Sequence, residues 1–272
     1  MFPVIEIFGK QIGSYGVMAV IGFTVCFLVG MKLTKRYDIN IYDFALTMIA
    51  AAIGLVIGGG LLYGATNYQL IFFALSHLGE LSLSGLWACL VYTFGGLVYY
   101  GGFIGSAVAV LIYTKFAKDV KGKRGELFDV YAVLVPLFHT FGRIGCFLGG
   151  CCYGVESSFG VTIHNNTINP SINDVNRFPI QLVESACNFL IFLLLLYFIN
   201  KGIMKYRLIY IYMLIYPVVR FTDEFFRGDT YRGIFFGLST SQWISIALFV
   251  FALIMLPIRT KKLKAQEKQP IE

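Results

Sequence analysis

Seven apolar runs, at roughly residues 14–33, 43–64, 87–113, 127–149, 182–199, 207–221 and 241–258, set the limits on what this chain can become. A bilayer's hydrocarbon core, about 30 Å thick, is crossed by about 20 helical residues. Inside it each backbone N–H and C=O must find a partner without water. A helix does so alone, and no alternating barrel pattern is present. The expectation is an all-α polytopic membrane protein of about seven transmembrane helices. Composition agrees: 57% of residues are hydrophobic and 14% charged, against about 25% charged in soluble domains. Met1 to Gly13 lacks a basic region ahead of an apolar stretch, so the first span is expected to act as the insertion signal. Residues 1–258 read as one transmembrane domain, with outer-side loops at 66–86, 150–181 and 222–240 and a cytoplasmic basic tail at 259–272. Asn67 to Gly85 is too polar to span comfortably and is expected along the interface.

Orientation follows from the lysines and arginines. Lys32, Lys35 and Arg36 follow the first span; Lys115, Lys118, Lys121, Lys123 and Arg124 follow the third. Lys201, Lys205 and Arg207 follow the fifth, and Arg259, Lys261, Lys262, Lys264 and Lys268 lie in the tail. With seven spans these sixteen of the 22 basic residues share one side, which places the C-terminus in the cytoplasm and the N-terminus outside. The net charge of +7 is thereby a topology signal, and no nucleic-acid partner is implied. The other six are Lys10, Arg143, Arg177, Arg220, Arg227 and Arg232, inside a span or on the outer side.

Arginine cannot shed its proton to escape burial, and its planar five-donor fork matches phosphate oxygens. Arg143 and Arg220 fall near the outer ends of their spans, at headgroup depth, where an ionisable residue points to function. Internal ion pairs are the competing explanation: Arg220 with Asp223 or Glu224, and Arg143 with a carboxylate from another helix. Snorkelling toward the headgroups is another. Arg143 sits in GRIGCFLGGCCYG, residues 142–154. Its glycines, Gly142, Gly145, Gly149, Gly150 and Gly154, permit close helix packing or the approach of a phosphodiester. His139 lies one turn before Arg143 on the same helical face, with an ordinary pKa of about 6.5 that suits proton transfer. Cys26, Cys89 and Cys187 lie in apolar runs and read as small hydrophobes. Cys146 and Cys151, five apart, do not share a helical face, and no zinc-type Cys/His spacing occurs. All three cysteines of the run read as packing residues, with redox activity or covalent lipidation in transit as the alternative and no metal expected.

The run GRIGCFLGGCCYG resembles the signature of the prolipoprotein diacylglyceryl transferase family, commonly GRIGNFINGELWG. Four further stretches agree in order. SYG at Ser14 to Gly16 is similar to a Tyr-Gly in the family's first span, and YGGFIG at Tyr100 to Gly105 to its HGGLIG. RFPIQLVE at Arg177 to Glu184 resembles R-H-P-S-Q-L-Y-E, and VVRFTDEFFRGD at Val218 to Asp229 resembles F-R-F-x-x-E-F-F-R-x-P-D.

The resemblance implies a multi-pass enzyme of the bacterial cytoplasmic membrane. Such an enzyme moves a diacylglyceryl group from phosphatidylglycerol to the thiol of a lipobox cysteine in a prolipoprotein signal peptide, releasing glycerol 1-phosphate. Its partners are those two substrates and membrane lipids, with no cofactor. Carried over by position, Arg143 and Arg220 hold the phosphate, Glu224 orients Arg220 or the peptide, and Tyr15 lines the lipid pocket. Gly101, Gly102, Gly142, Gly145, Gly154 and Gln181 fall in substrate-binding motifs. Tyr100 stands where the family has a histidine, and Cys146, Gly149 and Cys151 stand where it has Asn, Asn and Glu. Ile57 to Gly64 lacks the basic residue expected there. Because tyrosine's ordinary pKa of about 10 makes it a poor base, His139 becomes the alternative proton acceptor. A relative with another acceptor, a lipid-binding protein without activity, and an anion carrier are the competing functions. A carrier predicts an internal repeat, and none is found.

Overall fold

A computed structural model describes residues 3–7, 9–77, 82–167, 169–229 and 233–267; Arg232 and Lys268 lie outside the described residues. The helices, in chain order, are α1 (Ser14–Thr34), α2 (Ile41–Thr66), α3 (Tyr68–Ser76), α4 (Leu83–Phe94) and α5 (Tyr99–Phe116). There follow α6 (Lys118–Lys121), α7 (Arg124–Gly149), α8 (Ile180–Lys201), α9 (Leu208–Asp223) and α10 (Thr240–Glu267). Three short antiparallel pairs lie among them: β1 (Val4–Ile7) with β2 (Lys10–Gly13), β3 (Glu156–Thr162) with β4 (Asn176–Arg177), and β5 (Ile234–Phe235) with β6 (Leu238–Ser239). The chain is an all-α membrane protein in class, its strands confined to connections.

Among the described residues five helices are long and apolar enough to cross a membrane: α1, α2, α7, α8 and α10. The expected span 87–113 is not one helix. It breaks between Phe94 and Tyr99 into α4 and α5, which meet at 92°. Gly95 and Gly96 sit at the break, where glycine's poor helix propensity ends the run. The expected span 207–221 is α9, whose 16 residues reach about 24 Å, short of the hydrocarbon core. The expected interfacial stretch 67–85 holds α3 and the start of α4, and its residues 78–81 lie outside the described residues.

The chain divides into two units, residues 34–124 and residues 1–33 with 125–272. In the first, α2 and α5 pack backbone to backbone. A Cβ on Gly54 would sit 2.3 Å from the Gly105 carbonyl oxygen, and one on Gly58 would sit 2.3 Å from that of Gly101. Ser106 Oγ adds a 2.8 Å hydrogen bond to the Ala51 carbonyl. Small residues let two helices approach this closely, with polar side chains closing the contact. Gly101 and Gly102 take part in this packing: a Cβ on either would run into Leu62 or Leu55 of α2. Tyr100 is buried in the first turn of α5, its ring 5.6 Å from that of Tyr99.

In the second unit α7 is the central strut. Cys26 Sγ of α1 donates to the Leu134 carbonyl, and Gly22 of α1 lies against Phe141. On another side Ser185 Oγ of α8 donates to the Thr140 carbonyl at 3.0 Å. Near the N-terminal end of α7, buried Asp129 accepts from the backbone N–H of Tyr206 and, at 2.9 Å, from that of Leu208. It thereby takes up donors that the start of α9 leaves without helical partners. α8 ends in a Schellman turn: Gly202 is left-handed (φ 66°), its N–H reaches the Ile199 carbonyl, and that of Ile203 reaches Phe198.

Candidate active site

Glu184, on the second turn of α8 and 1% exposed, gathers the polar groups of three helices. Arg143 Nη2 donates to its Oε2, and Arg220 Nη1 lies 3.9 Å from the same oxygen. Tyr216 Oη donates to its Oε1 at 3.2 Å, and His139 Nε2 lies 3.5 Å from that atom. The imidazole is also set edge-on to the Tyr216 ring, with centroids 5.1 Å apart. Arg220 Nη2 meets Glu224 Oε2 at 2.7 Å across one helical turn and donates to Ser241 Oγ of α10 at 3.1 Å. The sequence motifs put Arg143, His139, Arg220 and Glu224 in one place, and the structure does so through Glu184. The one signal of that carboxylate in the sequence is its place as an ionisable residue inside the expected span 182–199, which in a membrane calls for a functional partner.

A buried charge left without a partner costs several kcal/mol, so the pairing explains how the two guanidiniums are tolerated. It does not exhaust Arg143. Its Nη1 contacts only Cys146 Sγ, at 3.9 Å, and its buried Nε has no hydrogen-bond partner among the described residues. Beside it, nothing lies within 4 Å of where a Cβ on Gly142 would stand, and the same holds for Gly149. The expected helix packing fails at both, because that side of α7 meets no neighbour there. Gly145 does pack, against Tyr15 and Met18 of α1.

The turn after α7 corrects the reading of the cysteines. Gly150 takes a left-handed conformation (φ 75°), its N–H reaches the Phe147 carbonyl, and the Cys151 N–H reaches that of Cys146. This is again a Schellman turn, which lays the second residue past the helix over its last turn. A Cβ on Gly150 would also stand 2.1 Å from Asn166 Nδ2. Cys146 and Cys151 meet because the helix ends between them, although a continuous helix would have kept them apart. Cys152, also left-handed (φ 54°), completes a cluster in which the three sulfurs lie within 4.8 Å of one another. Hydrogen bonding with Cys146 holds the Cys152 thiol well below its ordinary pKa and pushes that of Cys151 up.

The remaining motif residues brace this turn. Gln181 Nε2 donates to the Cys151 carbonyl at 2.9 Å, and Gly154 bridges Arg227 so closely that a Cβ would lie 2.1 Å from the Phe178 carbonyl oxygen. Arg227 forks onto Asp229 at 3.1 and 2.8 Å. Arg177 stacks its guanidinium 4.6 Å above the Tyr153 ring and pairs with Glu156 at 3.6 Å. Both guanidiniums are thus held by nearby carboxylates.

The sequence pattern of the prolipoprotein diacylglyceryl transferase family matches residues 3–258. The chain belongs to that family. It is 35% identical to the phosphatidylglycerol–prolipoprotein diacylglyceryl transferase of Clostridium tetani (strain Massachusetts / E88), over 92% of this chain and 97% of that one. It is 33% identical to transferase 2 of the same description from Clostridium perfringens (strain 13 / Type A), over 97% and 96%. Against the corresponding protein of Finegoldia magna the figures are 31%, 97% and 98%.

Proposed function

We propose that this chain transfers the diacylglyceryl group of phosphatidylglycerol to the thiol of a lipobox cysteine in a prolipoprotein signal peptide, releasing glycerol 1-phosphate. The observation that carries this reading is Arg143, a buried guanidinium anchored by one nitrogen to Glu184, with its Nε lacking a hydrogen-bond partner among the described residues. A phosphate oxygen suits that position in charge and fork geometry.

In the reaction the cysteine sulfur attacks the glycerol carbon that bears the phosphate. The C–S bond forms as the C–O bond breaks, and the thiol proton passes to a base. The departing phosphate goes from one negative charge to two. Arg143 and Arg220 stabilise that gain, which is absent from the ground state, so their effect falls on the barrier. His139 is the proton acceptor in this scheme. Arg143, Arg220, Glu184 and Glu224 balance in charge, and a proton on His139 offsets what the phosphate acquires. Glu224 fixes Arg220, and Tyr15 against Gly145 borders the site. In this reading α9, although shorter than the hydrocarbon core, and the bent α4–α5 pair join the five long helices as crossings of the cytoplasmic membrane, with the site on the outer side and the C-terminus inside.

The test is expression in cells depleted of their own diacylglyceryl transferase, followed by mass analysis of a reporter prolipoprotein. The expected result is a gain of one diacylglyceryl group on the lipobox cysteine. A stably inserted chain that leaves the reporter unmodified, in cells and with purified phosphatidylglycerol, refutes the function.

A further inference from the structure

We propose that Cys146, Cys151 and Cys152 form a binding site for one thiophilic cation of the Zn2+ or Cu+ class. The three sulfurs already lie within 4.8 Å of one another. A metal–sulfur bond of about 2.3 Å places three thiolates around one ion about 3.8 to 4.0 Å apart, so closure asks for side-chain rotation only. Thiolate sulfur selects these ions over hard cations.

The cluster is built by its backbone. The Schellman turn sets Cys151 over Cys146, left-handed residues Gly150 and Cys152 reverse the chain, and Gln181 Nε2 pins the Cys151 carbonyl. Cys146 is buried, Cys152 half-buried and Cys151 exposed, so the site has an inner wall and an open entry. Three thiols give up three protons; three thiolates on a dication leave one negative charge, on a monocation two, next to Arg143, whose Nη1 lies 3.9 Å from Cys146 Sγ. Zn2+ completes four-coordination with water, and Cu+ is satisfied by three sulfurs. Loading sets a net negative cluster beside Arg143, where it competes with a phosphate for the guanidinium, so the ion should also inhibit transfer. That second effect rests on the function proposed above; binding does not.

The test uses the full chain, purified in lipid nanodiscs, reduced and stripped of metal, then titrated separately with Zn2+ and with Cu+. Bound ion is counted, and thiols protected from maleimide are mapped by peptide mass. The expected result in at least one arm is one ion per chain, with Cys146, Cys151 and Cys152 protected while Cys26, Cys89 and Cys187 react as before. The double variant Cys151→Ser/Cys152→Ser should lose the ion. Failure to bind in both arms, protection of other cysteines, or unchanged stoichiometry in the double variant overturns the site. The protection map needs only the parent chain, so a variant that folds poorly does not rescue the proposal. Transfer should fall at least tenfold on loading and recover with a chelator. A loaded chain that still transfers at full rate overturns the inhibition alone.

Discussion

Replacing Arg143 by lysine separates what the guanidinium does for the fold from what it does for a phosphate. In the structure Arg143 spends Nη2 on Glu184, its Nη1 contacts Cys146 Sγ, and its buried Nε has no hydrogen-bond partner among the described residues. An ammonium on a shorter stem can keep the Glu184 pair but cannot present a second, coplanar donor. Arg143→Lys is therefore expected to insert and melt like the parent while turnover falls. One lost transition-state donor of this kind costs about 2–4 kcal/mol, or about 30- to 900-fold in rate. Arg143→Ala should match that loss and add a second. It leaves buried Glu184 with Arg220 Nη1 at 3.9 Å as its nearest guanidinium, and breaking such a pair costs about 3–5 kcal/mol. Single-turnover transfer from phosphatidylglycerol to a lipobox peptide gives the rates, and thermal melts in nanodiscs give the stabilities. A lysine variant with near-parental turnover would show that Arg143 is a counter-charge for Glu184 and nothing more.

His139→Gln is expected to lose about 10²- to 10⁴-fold in transfer as the missing base, and more than Tyr100→Phe, with both proteins at normal levels in the membrane; the reverse order would move the base to Tyr100. Gly54→Leu should lower the melting temperature, because its Cβ alone would meet the Gly105 carbonyl at 2.3 Å and overpacking of a tight contact costs about 1–3 kcal/mol; an unchanged melt would mean the α2–α5 contact is slack. A cysteine introduced at Asn165 should react with an impermeant maleimide in intact cells and one at Lys121 should not, once the reactivity of the native thiols is subtracted; the opposite pattern inverts the orientation.

The parts of the fold that were plain in the sequence are those where one physical demand acts alone. Lipid forces long apolar helices, so α1, α2, α7 and α8 stood close to the expected bounds, while α10 runs on to Glu267, past the end expected at 258 and into the stretch read as a tail. The α4–α5 break was hidden because Gly95 and Gly96 interrupt the run by backbone preference while Leu97 and Val98 keep it apolar. At the site, motif order brought out Arg143, Arg220 and Glu224, and helical spacing brought out His139. Glu184 escaped because its role depends on three helices meeting, which spacing along one chain does not encode. The cysteine cluster escaped for a different reason: face arithmetic assumed a helix that continues past Gly149, and the left-handed Gly150 ends it.

Asp129 and the arginine network lie at opposite ends of the same two helices. From Asp129 to Arg143 α7 rises about 21 Å, and from Leu208 to Arg220 α9 rises about 18 Å. Both lengths are measured between fixed points, the carboxylate that grips the start of α9 and the Glu184 carboxylate that receives both arginines. The pair acts as a ruler. One residue inserted between Leu208 and Arg220 would turn the guanidinium by about 100° and carry it off Glu184. The same insertion in the connection between α7 and α8, outside the β3–β4 pairing and away from Asn166, leaves both helical counts unchanged. Homologous chains should thus differ in length in that connection and hold a constant count along both helices.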